Sequence, residues 1–410
     1  MIHNVKLPTL TLKRLTDVVY LQMWLLRYAS STSNLDKSGC EGYLQRCPRF
    51  RGRHQQIAKW LWRGSKRREL LSDFSQGSQA EKRAWSGDLS HEAFALLNNP
   101  IGSVTPFFPQ DSTPSWQKAG ADFLRKFYDY LSKEELPSCF FSEPDASSFK
   151  RHDFISQFDE ANNQLFICPV CDLSNRTQID HYLPISLYPH LSCHPFNLVP
   201  VCSDCNSLVV KGDTDCLARA SGIRRNLEDI FLPYQGYGLK THTYLRVDLR
   251  QDYRNPSQMT LKPRPGNNLQ ECIDAYNDAY KIPSRWFDTS RNIQNQLFQQ
   301  VKQSITAAKT GRASVNIFDV RDILDELLAS LFENQGKTPQ AFPMAWWLAA
   351  LINQEIEPNI KNTAPIETEK FPFLVEIAGW SKQAQIQHPA YISNPKLDKT
   401  RKLRKIAAEN

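Results

Sequence analysis

No stretch of this sequence is apolar for long enough to cross a membrane. The nearest approach is Val18–Leu26, closed off by Asp17 before it and Arg27 after it, far short of the ~20 residues a helical span needs. Behind Lys13 and Arg14 this patch has the outline of a signal peptide, but its flanks favour an amphipathic first helix. With no targeting segment in view, the chain is expected to be cytoplasmic and not inserted into membranes. No internal repeat is visible, which removes the repeat architectures. A disulfide framework is lacking as well. Of ten cysteines, four sit in two tight pairs, while Cys40, Cys47, Cys139, Cys193, Cys216 and Cys272 are scattered, the usage of a metal site plus spare thiols. Acidic residues are absent from Arg46 to Arg68.

What is there is a globular composition, 41% apolar and 23% charged, with a net charge of +7 in 410 residues. The length allows two or three domains. The acid-free stretch holds Arg46, Arg49, Arg51, Arg53, Lys59, Arg63, Lys66, Arg67 and Arg68, with Trp60 and Trp62 interleaved. Uncompensated cations repel one another, so the stretch predicts a nucleic-acid backbone as partner, with Arg51, Arg53, Lys66, Arg67 and Arg68 as its contacts. The plainer reading is a solvated helix face over core tryptophans.

Apolar spacing of three and four predicts helices over Leu15–Tyr28, Gln55–Leu71, Trp116–Leu131, Trp286–Ala308, Val320–Phe332 and Ala345–Ile356. Short apolar runs at 165–167, 178–179 and 197–201 replace that pattern in the middle. His242–Leu249 reads as a strand, and Cys205, Leu208 and Val209 suit a short helix. The fold class is therefore α+β: a mainly helical, multidomain chain with a small central finger. Its regions are a basic, mainly helical 1–150, a finger at 151–216 and a mixed, mainly helical 217–410. Asp322, Asp325 and Glu326 read as a solvated helix face, and the basic tail after Asn394 as a weak electrostatic contact.

The chemistry concentrates between Cys168 and Asp213. Cys168-Pro-Val-Cys171 and Cys202-Ser-Asp-Cys205 each fit a knuckle that aims two thiolates at one ion. Four thiolates close a tetrahedral shell with no open position, so Zn2+ there is structural. Between the pairs stand Gln178-Ile-Asp-His-Tyr-Leu-Pro184 and Asn197-Leu-Val-Pro200, and Asn206 follows the last cysteine. This order resembles the HNH endonuclease family, in the subset whose finger is pinned by four cysteines, over Cys168 to Asp213 and not the flanks.

The resemblance implies a ββα-metal finger: two strands, a loop and a helix around one catalytic divalent ion. It implies His181 as general base, Asn197 as the residue holding the loop backbone, and Asp180 and Asn206 as ligands of Mg2+, with Mn2+ as a substitute. Asn206 should open the helix. Where many relatives have a second His, this chain has Asn206, giving an all-oxygen donor set that suits a hard cation. Lys211-Gly212 resembles the family's Lys-Gly, though set further from Asn206 than is usual, and makes Lys211 a candidate phosphate contact; Arg176 is another. Adjacent strand residues face opposite ways, so Asp180 and His181 share one reaction only if the strand bends. His190 and His194 are alternative ligands.

The expected activity is metal-dependent hydrolysis of DNA, as nicks by a monomer. Long arms around such a finger resemble effectors of bacterial anti-phage defence, Zorya-type among them, or restriction nucleases, with defence-system proteins as further partners. The alternatives are a non-catalytic zinc-containing nucleic-acid-binding protein and an RNA-directed nuclease.

Overall fold

A computed structural model describes residues 2–357, apart from 100–101, 108–111, 144, 220, 235–244, 250–257, 309 and 311–316, together with Leu397, Thr400 and Arg401. Most of it is helical, with two small antiparallel sheets. The first helix, α1 (Thr9–Ser31), does not have one wet face. Helices α2 (Lys37–Gln45), α3 (His54–Arg63), α4 (Ser65–Ser75), α5 (Gln79–Asn98) and α6 (Ser115–Lys133) follow it. Their side chains build a core on α1, from Leu15 and Val18 to Phe123 and Phe127. Polar residues of α1 are buried with partners: Asp17 pairs with Arg49 and accepts from the Ser142 amide at 2.6 Å. The expected amphipathic helix is instead a central one, because Asp17 is neutralised from another element.

The reading of Gln55–Leu71 as one helix is corrected to two. They break at Gly64, where a Cβ would collide with the Arg67 guanidinium. Trp286–Ala308 likewise divides into α9 (Ile282–Asp288) and α10 (Ser290–Ala308).

Leu136 and Phe149 exchange backbone hydrogen bonds of 2.8 and 2.9 Å. Helix α7 (Arg151–Ala161) then crosses between two cores, with Phe154 in the first and Phe158 in the second. The second core gathers the cysteine region, the hairpin of β3 (Leu245–Leu249) and β4 (Met259–Pro263), and helices α8 (Gln270–Tyr280), α9, α10, α11 (Ile317–Glu333) and α12 (Ala341–Leu351). A π-helical turn, Ile352–Ile356, ends α12. Of the predicted strand His242–Leu249, residues 242–244 lie outside the described residues.

Strands β1 (Gln178–His181) and β2 (Leu198–Val201) form the central sheet, paired Asp180 to Val199 and His181 to Leu198. Both faces are covered, which suits their continuous apolar run. Ile179 and Leu198 face the first core, Val199 and Val201 the second. The run at 165–167 makes only one bridge, Ile167 to Asn175. The helix expected after Cys202 does not form. Residues 203–213 are successive turns, and Leu208 and Val209, which suggested it, are 89% and 83% exposed. With Leu208 and Val209 packed on nothing, no apolar face drives a helix, and Gly212 at φ +48° bends the backbone out of helical geometry.

Candidate active site and metal centre

The four paired cysteines converge. All their sulfurs lie within 4.8 Å of one another and all are buried. Cys168 and Cys205 stand 3.8 Å apart, and Cys171 and Cys202 3.6 Å. These spacings exclude disulfides, whose sulfurs are about 2.05 Å apart. They suit a tetrahedral ion, for which sulfurs bound at about 2.3 Å lie about 3.8 Å from each other. Amides of Leu173 and Cys205 donate to Cys171 and Cys202 at 3.5 and 3.4 Å, and Arg285 donates to Cys205 at 3.1 Å. Burial pushes the Cys168 thiol up, so thiolates there need a cation among them. The four side chains thus form a group able to hold one metal ion.

Around the first knuckle, Asp172 takes a positive φ of 60°. Its carboxylate accepts from the Phe342 amide at 2.8 Å and faces His3 Nε2 at 2.6 Å. Trp286 Nε1 donates to the Cys171 carbonyl at 2.9 Å.

The sheet positions the remaining motif residues. His181 ends β1 on the face of the first core, edge-on to the Tyr128 ring at 4.1 Å between centroids. Its Nε2 lies 2.9 Å from the Ser192 carbonyl. A carbonyl only accepts, so Nε2 carries the proton and Nδ1 keeps its lone pair. No partner for Nδ1 is found among the described residues. Burial pulls the imidazole pKa down to about 3, with the Ser192 carbonyl opposing, so the ring is neutral at physiological pH.

Asn197 clamps the intervening loop. Its Oδ1 accepts from the Leu183 amide at 2.7 Å, and its Nδ2 donates to the carbonyls of Leu183 and Leu191 at 3.0 and 3.2 Å. Ser192 is fixed from the helical side. Gln22 Nε2 donates to Ser192 Oγ at 2.9 Å and to the Leu124 carbonyl at 2.8 Å, which Ser192 Oγ also reaches at 2.8 Å. Ser192, Gln22 and Tyr128, all of which position His181, carried no signal in the sequence, since their contacts depend on how α1 and α6 pack.

Asp180 leaves the opposite face of β1, and regular pairing continues through His181 without a bend. The bend that would bring the two side chains to one side is therefore absent: His181 lies on the face of the first core and Asp180 on the face of the second. Lys211 Nζ donates to both Asp180 oxygens, at 2.9 and 2.8 Å, and to the His181 carbonyl. Tyr280 donates to Asp180 Oδ2 at 3.3 Å. Burial raises the Asp180 pKa, with Lys211 opposing.

Asn206 is exposed, and its Nδ2 donates to Gln178 Oε1 at 2.5 Å. Asp180 and Asn206 have the donor chemistry for Mg2+, but the carboxylate is already saturated by an ammonium and a phenol. As arranged, the pair does not fit a divalent ion.

The other candidates are distributed differently from the sequence reading. Lys211 is only 3% exposed, so it is turned away from phosphate. Arg176 is also inward, paired with Asp159, donating to the Leu165 carbonyl at 2.6 Å and lying over Phe158. His190 faces Glu92 at 3.3 Å. His194 engages the Ala93 carbonyl and the Phe196 amide at 3.2 and 3.3 Å. In the basic stretch, Arg53 reaches carbonyls of Arg49 and Cys139. Arg67 reaches the Trp60 carbonyl and donates to Tyr130 at 2.7 Å. Trp60 packs edge-on to Phe140 within the core. Arg51, Lys66 and Arg68 are exposed. Of the chain after Asn394, Leu397, Thr400 and Arg401 fall among the described residues, and Arg401 pairs with Asp322 and Asp325 at 2.7 and 3.2 Å.

Comparison with known proteins gives a local likeness. The chain is similar to Protein ea31 of Escherichia phage lambda, 55% identical over 40 residues, which are 10% of this chain and 14% of that protein. No family model matches the chain, and no solved structure matches it. No described helix is long and apolar enough to cross a membrane.

Proposed function

We propose that this chain is an endonuclease of the HNH type that hydrolyses DNA phosphodiesters, with Zn2+ in the four-cysteine group as its structural metal. The observation that carries the reading is the state of His181: neutral, proton fixed on Nε2 by Ser192, Nδ1 uncommitted, in a loop clamped by Asn197. A neutral imidazole with an open lone pair is the protonation state that can accept a proton from water. The resulting hydroxide attacks phosphorus, the bond to the 3′ oxygen breaks, and 5′-phosphate and 3′-hydroxyl ends result. The exposed cations Arg51, Lys66 and Arg68 suit a phosphate backbone. Asp180, which the resemblance makes a ligand of Mg2+, is held by Lys211 and Tyr280. One His181 per chain means nicking by a monomer. A defence or restriction setting is supported by the motif resemblance and the long arms beside the finger.

The test is plasmid nicking in Mg2+ by the parent and His181→Ala. The variant should lose cleavage by ~10^2-fold or more while keeping zinc content and DNA binding. Equal cleavage by the two overturns the assignment. The pairing of Lys211 with Asp180 favours one other reading, a non-catalytic nucleic-acid-binding zinc module. It predicts DNA binding with no nicking by the parent in any divalent ion. Offering single-stranded RNA beside DNA separates the RNA-directed alternative.

A further inference from the structure

The β3–β4 hairpin has one apolar and one polar face, since adjacent residues of a strand point opposite ways. Leu245, Val247, Met259 and Leu261 face the second core. The other face carries Arg246, Asp248, Thr260 and Lys262, with Arg246 paired to Lys262 and Asp248 to Thr260. Arg264 follows β4 by one residue. It and Thr260 are the diagonal neighbours of Arg246, an offset that long side chains span. Both arginines are buried, Arg246 at 7% and Arg264 at 4% exposure. The Arg264 guanidinium lies over the Trp346 ring of α12, 5.5 Å from its centroid. Burial, and after it the charge of Arg246, holds Arg264 below the usual arginine pKa, so the two guanidiniums feel each other.

What this face lacks is an acceptor. Its one acid among the described residues, Asp248, is taken by Lys262 at 2.9 Å. Arg246 meets no carboxylate among the described residues, and its Nε is buried without a hydrogen-bond partner. Thr260 Oγ1 and Trp346 Nε1 are buried atoms without partners as well. A buried cation and buried donors in this state are costly, and an anion placed among them removes that cost. Every one of these groups can donate. A phosphate dianion matches two guanidiniums in charge and offers more acceptor oxygens than a carboxylate. A phosphodiester inside a duplex has a single charge and cannot enter a buried site.

We propose that Arg246 and Arg264, with Thr260 beside them, bind a phosphomonoester dianion, carried by a small molecule or by the 5′ end of a DNA strand. Arg246 is the cation the ligand neutralises, and Trp346 sets the plane of Arg264. The site stands apart from the finger and does not depend on the reading of His181.

The experiment is isothermal titration of zinc-loaded full-length protein, dialysed free of phosphate. Inorganic phosphate should bind at one site per chain. Arg246→Met should weaken it at least ~10-fold, and Lys302→Met, at an exposed cation of α10, should leave it unchanged. Thr260→Val, which keeps both guanidiniums and the shape, should weaken it ~5-fold, so the site is tested even where Arg246→Met does not fold. A 5′-mononucleotide, and a short DNA strand with a 5′-phosphate beside its 5′-hydroxyl twin, identify the carrier as the one that binds more tightly than phosphate alone. No binding of phosphate, nucleotide or phosphorylated strand overturns the proposal, as do unchanged affinities in Arg246→Met and Thr260→Val.

Thermal unfolding gives a second readout. Without phosphate, Arg246→Met removes an unpaired buried charge and should unfold at a higher temperature than the parent. Saturating phosphate should raise the parent and leave the variant where it was. An equal rise in both is a general salt effect and overturns the site.

Discussion

The two basic regions of this molecule use their charge in opposite ways. Between Arg46 and Arg68 no acidic residue interrupts the cations, and Arg51, Lys66 and Arg68 end in solvent. In the finger, Arg176 and Lys211 are both buried on carboxylates, Asp159 and Asp180. Arg49 of this stretch meets Asp17 and goes in, whereas Arg51, Lys66 and Arg68 make no ion pair among the described residues and stay outside. A single cation that meets a carboxylate across a strand goes in. Positive charge in a sequence therefore marks a partner surface only where no acid lies within folding reach. By that rule the proposed DNA contact falls on Arg51, Lys66 and Arg68 rather than on Arg176 and Lys211.

The largest effect should come from the finger's own anchor. Cys168→Ser or Cys205→Ser should abolish cooperative thermal unfolding and zinc content together. A structural zinc site contributes about 10–16 kcal/mol in small peptides, as much as a typical domain's whole stability. A cooperative, zinc-free Cys205→Ser would show that packing alone holds the finger.

Next comes the contrast in burial itself. Lys211→Ala strands Asp180 and should destabilise by about 3–5 kcal/mol, whereas Lys66→Ala should stay within about 0.5 kcal/mol. Equal denaturant midpoints for the two would erase the distinction between the regions.

A smaller effect concerns pH. Burial pulls the His194 pKa down from 6.5 to about 3. The unfolded chain then binds a proton that the folded chain refuses. Stability should fall as pH drops below about 6.5 and keep falling toward about 3, with His181 acting the same way. His194→Gln should make that slope shallower by the share of one proton. An unchanged slope would place the acid sensitivity elsewhere.

The smallest is electrostatic. Replacing Arg51, Lys66 and Arg68 together with glutamine should lower the slope of log affinity for DNA against log salt by about 3, at ~0.9 for each phosphate that is no longer neutralised. The fold should be unchanged. If instead Arg53→Gln and Arg67→Gln lower that slope, the inward hydrogen bonds of these two arginines do not survive DNA binding.

The local parts of this structure were legible. The two cysteine pairs were readable because each knuckle is set by four consecutive residues. The helices around Leu15, Trp116, Ile293 and Val320 were readable because their apolar spacing is periodic. Asn197 was readable through the motif, and its bonds to Leu183 and Leu191 are those of a loop clamp. What could not be read is what sheet register and helix packing decide. Lys211 finds Asp180 across a separation of 31 residues, and Ser192 finds Gln22 across 170. The missing helix after Asn206 has a local cause that was present but outweighed: Gly212, which takes a positive φ of 48°. Helix α1 misled in the same way, because nothing near Asp17 in sequence announces Arg49.

Asp172 bears on the order in which this chain folds. The ligand pairs close over a separation of 37 residues, from Cys168 to Cys205, a loop that forms early by chain-entropy standards. The carboxylate just beyond the first knuckle is gripped from far greater distances, by His3 at 169 residues and by the Phe342 amide at 170. The ion can therefore be captured while both ends of the chain are still unfolded. Its surroundings become native only when residues from both ends arrive at the same side chain. In hydrogen exchange, the two knuckles should gain protection well before the amide of Phe342 does, making that amide the reporter of the last step of assembly.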